Sequence, residues 1–264
     1  MNPIFLTPKW LVGHVLVLTV LISFTNFGAW QLRRHDARLE RNAVAIERMA
    51  EEPADLDAVV ARALATPPIG GVAPLAYRRV RLTGTFDPAV EVLRRPVSRD
   101  GMPGYHVITP LVLADGSAVL VERGWVPQSL DRVPVVEASP PEGEVTIVGW
   151  TFPTERPPTG PLAGLVARDP AEGPLRTVVY VDEERLAAQM PHPLRDVLVL
   201  LDPPRRPPGD RTLPLAPPPP TVGAGAHLGY AVQWISFALI TGIGYAALLR
   251  RVGREEGRAD PNAG

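Results

Sequence analysis

Hydrophobic residues form an uncharged stretch near each end of the chain, and a long segment of mixed polarity lies between them. The two apolar stretches cover residues 10–32 and 228–249. A helix that crosses a lipid bilayer needs about 20 apolar residues, so each stretch predicts one transmembrane helix. We therefore expect both ends of the middle segment to be tied to one membrane.

The first apolar stretch is predicted to be a retained anchor. It is longer than the roughly 7–15 apolar residues of a signal peptide, and the nearest run of small residues is followed by Trp30. The second stretch is followed by Arg250, Arg251 and Arg254, a cluster typical of a stop-transfer signal. Basic residues flank both sides of the spans in similar numbers, so charge leaves the orientation open.

Residues 33–65 are predicted to be helical, because apolar positions recur at helical spacing in a segment rich in Arg, Glu and Ala. Pro53 should end the first helix, and Asp55 is expected to cap a shorter one that runs through Leu64. Residues 66–71 then predict a loop that is rich in proline and glycine.

Beyond residue 76 the apolar pattern changes to the alternation of half-buried strands. The predicted strands cover residues 77–86, 90–94, 105–113, 117–123, 144–150, 177–181 and 196–201, with a short helix over residues 182–190. Residues 114–116 predict a hairpin, since their Asp-Gly pair supplies the positive φ of a tight turn. Short strands at close intervals favour an antiparallel sheet or a small barrel.

The segment that follows is unusually rich in proline: half of residues 203–220 are proline. Such a segment is expected to be extended, at about 3.1 Å per residue, and to return the chain to the membrane as a semi-rigid tether. A docking motif for an aromatic groove is the less favoured alternative.

These patterns together predict a membrane protein of α+β class, in which two transmembrane helices flank a β-rich domain. The predicted parts are an N-terminus (1–9), a first transmembrane helix (10–32), a helical juxtamembrane segment (33–65), a β-rich domain (66–202), a Pro-rich tether (203–226), a second transmembrane helix (227–249) and a basic tail (250–264).

Composition excludes several classes of function. The net charge of −1 gives no basic surface for nucleic acid. The absence of cysteine excludes disulfides, thiolate metal sites, thiol redox chemistry and covalent c-type haem attachment. No nucleophile elbow, phosphate loop or zinc-protease motif is present, so we expect the protein not to be an enzyme.

Two of the five histidines, His14 and His227, lie within or beside the apolar stretches. Ionisable groups are unfavourable there and tend to face protein, water or a ligand. Spacings of three and four residues place His227, Tyr230 and Trp234 on one helical face. Two interpretations stay open: an aromatic belt with an interfacial histidine, or an axial ligand for non-covalent haem. His106 and His192 are expected to be ordinary surface or hydrogen-bonded residues, and His35, among arginines at the membrane surface, is expected to have an interfacial role.

Four motifs occur in order along the chain: GAWQ at residues 28–31 with Arg34 following, RDGMPGYHVITPL at 99–111, VERGWVP at 121–127, and HLGYAVQW at 227–234. With these motifs the chain resembles the Surfeit locus protein 1 family of cytochrome c oxidase assembly factors over nearly its full length. It departs from that family at Glu122, where asparagine is common, and at residues 223–226, where asparagines are usual. The family's basic residue after Arg34 is here at best Arg38.

The resemblance implies a membrane-anchored assembly factor for the haem–copper oxidase in the plasma (inner) membrane of a bacterium, with cytoplasmic termini and an extracytoplasmic β-rich domain. It implies transient binding of haem a for insertion into the oxidase core subunit. That subunit and the haem a synthesis enzymes would be partners. A haem-independent scaffold that holds oxidase subunits together stays open as the alternative.

On the same basis, His227 is the candidate iron ligand. Tyr230, Trp234 and Trp30 would pack against the macrocycle, and Arg34 would pair with a propionate. In the middle motifs, Gly101, Gly104 and Gly124 are expected to supply turn or bulge geometry. Trp125 is equally consistent with a core residue or a contact. Arg123 is expected to hold a carboxylate within the domain or to face a partner.

Overall fold

The computed structural model describes residues 3–161, 163–203 and 210–259. It divides into two compact units, Met1–Asn42 with Gly223–Gly264, and Ala43–Val222. The helices are α1 (Pro8–Met49), α2 (Leu56–Leu64), α3 (Glu183–Ala187) and α4 (His227–Ala259). The strands are β1 (Ala54–Asp55), β2 (Arg78–Phe86), β3 (Val92–Arg99), β4 (Met102–Leu113), β5 (Ala118–Pro127), β6 (Glu144–Phe152), β7 (Thr177–Val178) and β8 (Leu194–Leu201).

The first unit is built from α4 and most of α1. Both helices are long and apolar enough to cross a membrane, and almost none of the residues in their apolar windows is buried by the protein itself. Both extend beyond the apolar stretches. The extension of α4 contains an ion pair between two residues one turn apart: Arg251 Nε lies 2.8 Å from Glu255 Oε1. A pair at this spacing stabilises the helix.

The predicted break between two helices is confirmed. The first helix ends at Met49, and α2 begins after Asp55, which occupies the N-cap position without a side-chain capping hydrogen bond. Leu56, Val59 and Ala63 of α2 are buried. They recur at helical spacing, so α2 packs its apolar face against the sheet domain.

The sheet of the second unit closes on itself. Its strand order is β1-β2-β6-β8-β5-β4-β3-β7, and β2 pairs in addition with β4. The extra pairing joins Gly84–Phe86 to Leu111–Leu113. A closed ring is therefore formed by β2, β6, β8, β5 and β4. Of the two architectures that the sequence favoured, an open sheet and a small barrel, the structure has the barrel.

Among the described residues, the predicted antiparallel arrangement is confirmed for five strand pairings and wrong for three. Strand β1 runs parallel to β2, β7 to β3, and β8 to β5. Parallel neighbours need a long connection between them, and residues 128–193, which include β6, β7 and α3, separate β5 from β8. Alternation of apolar residues reports burial on one face of a strand and carries no information on the direction of its partner.

Two apolar layers surround β5, which is buried on both faces. The barrel interior consists of Leu56, Val59, Val80, Leu82, Phe86, Leu111, Val119, Val121, Val197 and Val199. The outer face is covered by residues of the β7 and α3 region, including Val178, Val181 and Leu186. Burial on both faces is why β5 has a nearly continuous apolar run instead of clean alternation.

Some strand boundaries differ from the predicted ones for local reasons. Strand β3 begins at Val92 because Pro88–Val90 form a 3-10 turn, in which the Asp87 carboxylate accepts a hydrogen bond from the Ala89 amide. Strand β7 has two residues, and α3 is shorter than predicted. The hairpin at residues 114–116 is confirmed: Leu113 N donates to Ser117 O at 2.8 Å, and Gly116 has a φ of 80°.

The Pro-rich segment is bound to the sheet domain where the structure describes it. Residues 204–209 of the predicted tether lie outside the described residues. Beyond them, Trp125 and Leu215 exchange two backbone hydrogen bonds of 2.8 Å, and Arg99 donates to Ala216 O at 2.7 Å. Leu215 lacks the proline ring, so its amide is free to pair. This part of the chain is thus an extra edge partner of β5, not a free tether.

Candidate functional site

The two apolar helices approach each other closely at Gly28. A Cβ added at Gly28 would lie 3.0 Å from Ile235 Cγ1 and 3.7 Å from the carbonyl oxygen of Ala231. Ala231 is fully buried. Small residues at a helix crossing allow the backbones to come together where apolar solvent gives little driving force. This crossing brings the residues one turn away, on both helices, within hydrogen-bond reach.

One of those residues is His227, the first residue of α4. Its Nδ1 lies 2.9 Å from Oε1 of Gln31 on α1. Gln31 is 9% exposed. The contact joins positions 196 residues apart, so no spacing rule could reveal it. The signal in the sequence was a polar amide at the end of an apolar span, three residues after Gly28.

Trp234 packs into an aromatic cluster between the same two helices. Its ring centroid lies 5.0 Å from that of Phe27 and 5.5 Å from that of Phe24, both on α1. Phe237 of α4 completes the cluster at 6.0 Å. The cluster begins two turns along α4 from His227, so the histidine lies at the end of an apolar, aromatic helix interface.

The other predicted site residues lie on the outside of the helix pair. Trp30 is 47% exposed and Tyr230 is 52% exposed. The guanidinium carbon of Arg34 lies 5.8 Å from the Trp30 ring centroid, within cation–π range. The structure thus brings His227 and Trp234 into the helix interface, and it leaves Tyr230, Trp30 and Arg34 accessible from outside it.

His35 and Arg38 lie one and two turns after Gln31, on the same face of α1. Nδ1 of His35 is buried and has no hydrogen-bond partner among the described residues. Arg38 donates from Nε to Gly223 O at 2.7 Å, which holds the chain just before α4. Gly225 has a φ of 70° there, a conformation that favours glycine.

His14 lies at the opposite end of the helix pair and has a different environment. Its Nε2 lies 3.1 Å from Phe5 O, and its Nδ1 contacts the Tyr245 hydroxyl at 2.5 Å. A carbonyl oxygen only accepts, so Nε2 carries the proton and Nδ1 accepts from Tyr245. Both ring nitrogens of His14 therefore have hydrogen-bond partners, and the contact with Tyr245 joins α1 to α4.

The residues present fit the haem that the resemblance implies. An imidazole that ligates haem iron must offer a ring nitrogen that is free of other bonds. Nε2 of His227 has no hydrogen-bond partner in the described parts of the chain, whereas both nitrogens of His14 are engaged. A cluster of three or more His, Asp or Glu suited to a bare metal ion does not occur among the described residues.

In the sheet domain, the central motifs build a buried ion pair. Arg123 donates from Nη2 to Glu91 Oε2 at 2.8 Å and from Nε to Thr109 Oγ1 at 2.7 Å. Thr109 donates to the same carboxylate at 2.6 Å, and the Val135 amide donates to its other oxygen at 2.9 Å. Burial lowers the pKa of Arg123, and the Glu91 carboxylate partly offsets this. Arg123 therefore holds a carboxylate within the domain, one of its two expected roles.

The glycines of these motifs make room for close packing. A Cβ at Gly104 would lie 2.5 Å from Trp125 Cε2, and Trp125 is 3% exposed, which makes it a core residue. Gly124 has a φ of 145° beside a bulge in β5, and a Cβ there would lie 2.4 Å from Leu215 O. Close packing thus explains Gly104, Gly124 and Trp125 of the central motifs.

A second charged cluster reaches the surface of the barrel. His106 Nδ1 lies 2.6 Å from Glu122 Oε1, and Arg94 contacts both Glu122, at 3.4 Å, and Glu155. Burial alone would raise the pKa of Glu122. The hydrogen bond and charge of His106, together with Arg94, outweigh burial and hold that pKa below its usual value. Position 122, a departure from the family pattern, thus carries an ion pair here.

This lowered pKa predicts acid sensitivity of the sheet domain. A carboxyl group whose pKa is lower in the folded state stabilises the fold above its unfolded pKa, and this contribution is lost as pH falls through the folded value. Below about pH 4.5, the free energy of unfolding should therefore fall more steeply in the wild type than in Glu122→Gln. Urea unfolding of the full chain between pH 3 and 7 measures both slopes, and equal slopes would contradict the assignment.

The family model and the relatives that match this chain all point to the same protein family. The model of the SURF1 family matches residues 18–239. An uncharacterized SURF1-like protein of Mycobacterium bovis is 29% identical over 264 residues, 97% of this chain and 90% of the relative. A SURF1-like protein of Monosiga brevicollis is 31% identical over 260 residues, 93% and 91% of the two chains. Surfeit locus protein 1 of Homo sapiens is 29% identical over 157 residues, which are 53% of this chain and 49% of the human protein. The chain belongs to the SURF1 family.

Proposed function

We propose that this protein is a membrane-anchored assembly factor for cytochrome c oxidase that binds haem a transiently and aids its insertion into the oxidase core subunit. The observation that carries the proposal is His227, held through Nδ1 by Gln31 at the end of two apolar helices, with Nε2 left free. The oxidase core subunit and the haem a synthesis enzymes are the proposed partners.

Each residue of the helix ends has a proposed role in this site. His227 would hold the haem through Nε2, and the haem, when bound, would supply the iron that this nitrogen ligates. Trp30 and Tyr230 are about half exposed, so they offer flat apolar surfaces to the macrocycle. Arg34, beside Trp30, supplies a cation for a propionate, since a charge-assisted pair at the membrane surface is favourable.

The proposed setting is the plasma membrane of a bacterium. Both helices would span the bilayer, with the termini in the cytoplasm and the sheet domain outside, as the family resemblance implies. The proposal assigns no catalytic residues and no enzymatic reaction. The sheet domain would present a surface to the oxidase.

Replacing His227 with alanine tests the function. The full chain is co-expressed with haem a synthesis enzymes and purified in detergent, and the Soret absorbance per protein is compared with that of His227→Ala. We expect the variant to lose most of the Soret band, because the proposed iron-ligating nitrogen is removed. The matched control is His192→Ala, in the sheet domain, which should leave the band unchanged.

The same preparation distinguishes the haem-independent scaffold. The oxidase core subunit is co-expressed and captured through a tag on this protein. Unchanged haem occupancy in His227→Ala, together with undiminished capture of the core subunit, would favour the scaffold and reject the haem site. Loss of haem with retained capture supports the proposed function.

A further inference from the structure

Gln31 is an unusual side chain at its position on α1. It is 9% exposed and lies on the helix face that packs against α4. A buried amide needs hydrogen-bond partners. The amide oxygen of Gln31 lies 2.9 Å from Nδ1 of His227, so the contact serves both side chains.

The chemistry of this contact sets the state of the imidazole. A carboxamide oxygen only accepts hydrogen bonds, so Nδ1 of His227 carries the proton. In a neutral imidazole the lone pair then lies on Nε2. Metal-binding histidines commonly donate their second ring N–H to an acceptor in this way, and the acceptor sets both tautomer and ring orientation.

We infer that Gln31 is the positioning residue for His227: its amide oxygen holds the imidazole with Nδ1 protonated and Nε2 free, ready to ligate iron. The inference rests on the proposed function for the identity of the ligand, and on the hydrogen bond alone for the tautomer. The close approach at Gly28 and Ala231 places the amide within reach, so the helix crossing and the ligand geometry are coupled.

The tautomer is measurable without haem. The full chain is labelled with ¹⁵N-histidine in detergent, and the His227 signals are assigned by their loss in His227→Ala. We expect the proton on Nδ1 in the wild type and in Gln31→Glu, which keeps an acceptor. Gln31→Leu should give a mixture of tautomers. The matched control is Gln233→Leu, an exposed glutamine on α4, which should behave as the wild type. A proton on Nε2 in the wild type, or an unchanged tautomer in Gln31→Leu, overturns the inference.

Haem affinity provides the second measurement. Ferric iron protoporphyrin IX is titrated into the purified full-length variants, and binding is followed by absorbance. Removal of an outer-shell acceptor weakens metal binding by about 10–100-fold, so we expect that loss in Gln31→Leu, and near wild-type binding in Gln31→Glu and Gln233→Leu. If the wild type binds and Gln31→Leu binds equally well, the role of Gln31 is rejected and the haem site stands. If the wild type binds no haem, the proposed function fails, and the tautomer measurement still decides whether Gln31 positions His227.

Discussion

Replacing Arg123 with methionine is expected to lower the free energy of unfolding of the sheet domain by about 3–5 kcal/mol, the usual loss when one partner of a buried ion pair is removed. Glu91 is 3% exposed, so its carboxyl group would lose its buried cationic partner and retain two hydrogen bonds in place of three. Urea unfolding of the full chain in detergent, followed by near-ultraviolet circular dichroism, measures the change. Arg62→Met is the control, because its ion pair with Glu51 is solvent-exposed and should contribute less than about 1 kcal/mol.

A double variant separates the ion pair from simple loss of packing. Glu91→Gln with Arg123→Met removes both charges, so the destabilisation should be clearly smaller than the sum of the two single losses. Additive losses would mean that the two residues act independently, and the buried network would then not be a unit.

Replacing Gly104 with alanine is the second change with a large expected effect. The added Cβ would lie 2.2 Å from Val126 O and 2.5 Å from Trp125 Nε1. Neither a central strand nor a buried indole has room to move, and overpacking of this kind destabilises by about 1–3 kcal/mol, occasionally more. The same urea unfolding measures the loss.

Gly164→Ala is the matched control for this change. No atom lies within 4 Å of a Cβ at that position, so its stability should stay within about 0.5 kcal/mol of the wild type. A Gly104→Ala variant as stable as Gly164→Ala would show that the indole of Trp125 does not pack against this glycine.

The elements of the fold could be predicted from local patterns, but their pairing could not. The two apolar helices and the strands around residues 78–86 and 144–152 follow from periodicity, because burial of one face repeats every 3.6 or 2 residues. The closed ring depends on the pairing of Phe86 with Leu111, and the parallel β5–β8 pair depends on a long connection. Neither leaves a local signature.

The candidate site, like the fold, could be predicted only in part from the sequence. His227 and Trp234 were predicted because an ionisable and an aromatic residue stand at the edge of an apolar span, and the structure places both between the two helices. Gln31 was missed, because its role arises from a contact between two distant helices. The pairing of Arg123 with Glu91 was also beyond sequence reasoning, since the Glu91 side chain is buried against a strand that lies 32 residues away.

The haem content of the purified wild type tests the central claim most directly. The full chain is co-expressed with haem a synthesis enzymes, purified in detergent and assayed by its pyridine haemochrome spectrum against protein concentration. Our account predicts bound haem of the a type at a level that approaches one per protein. A preparation free of haem, in which the oxidase core subunit is still captured, would contradict the account.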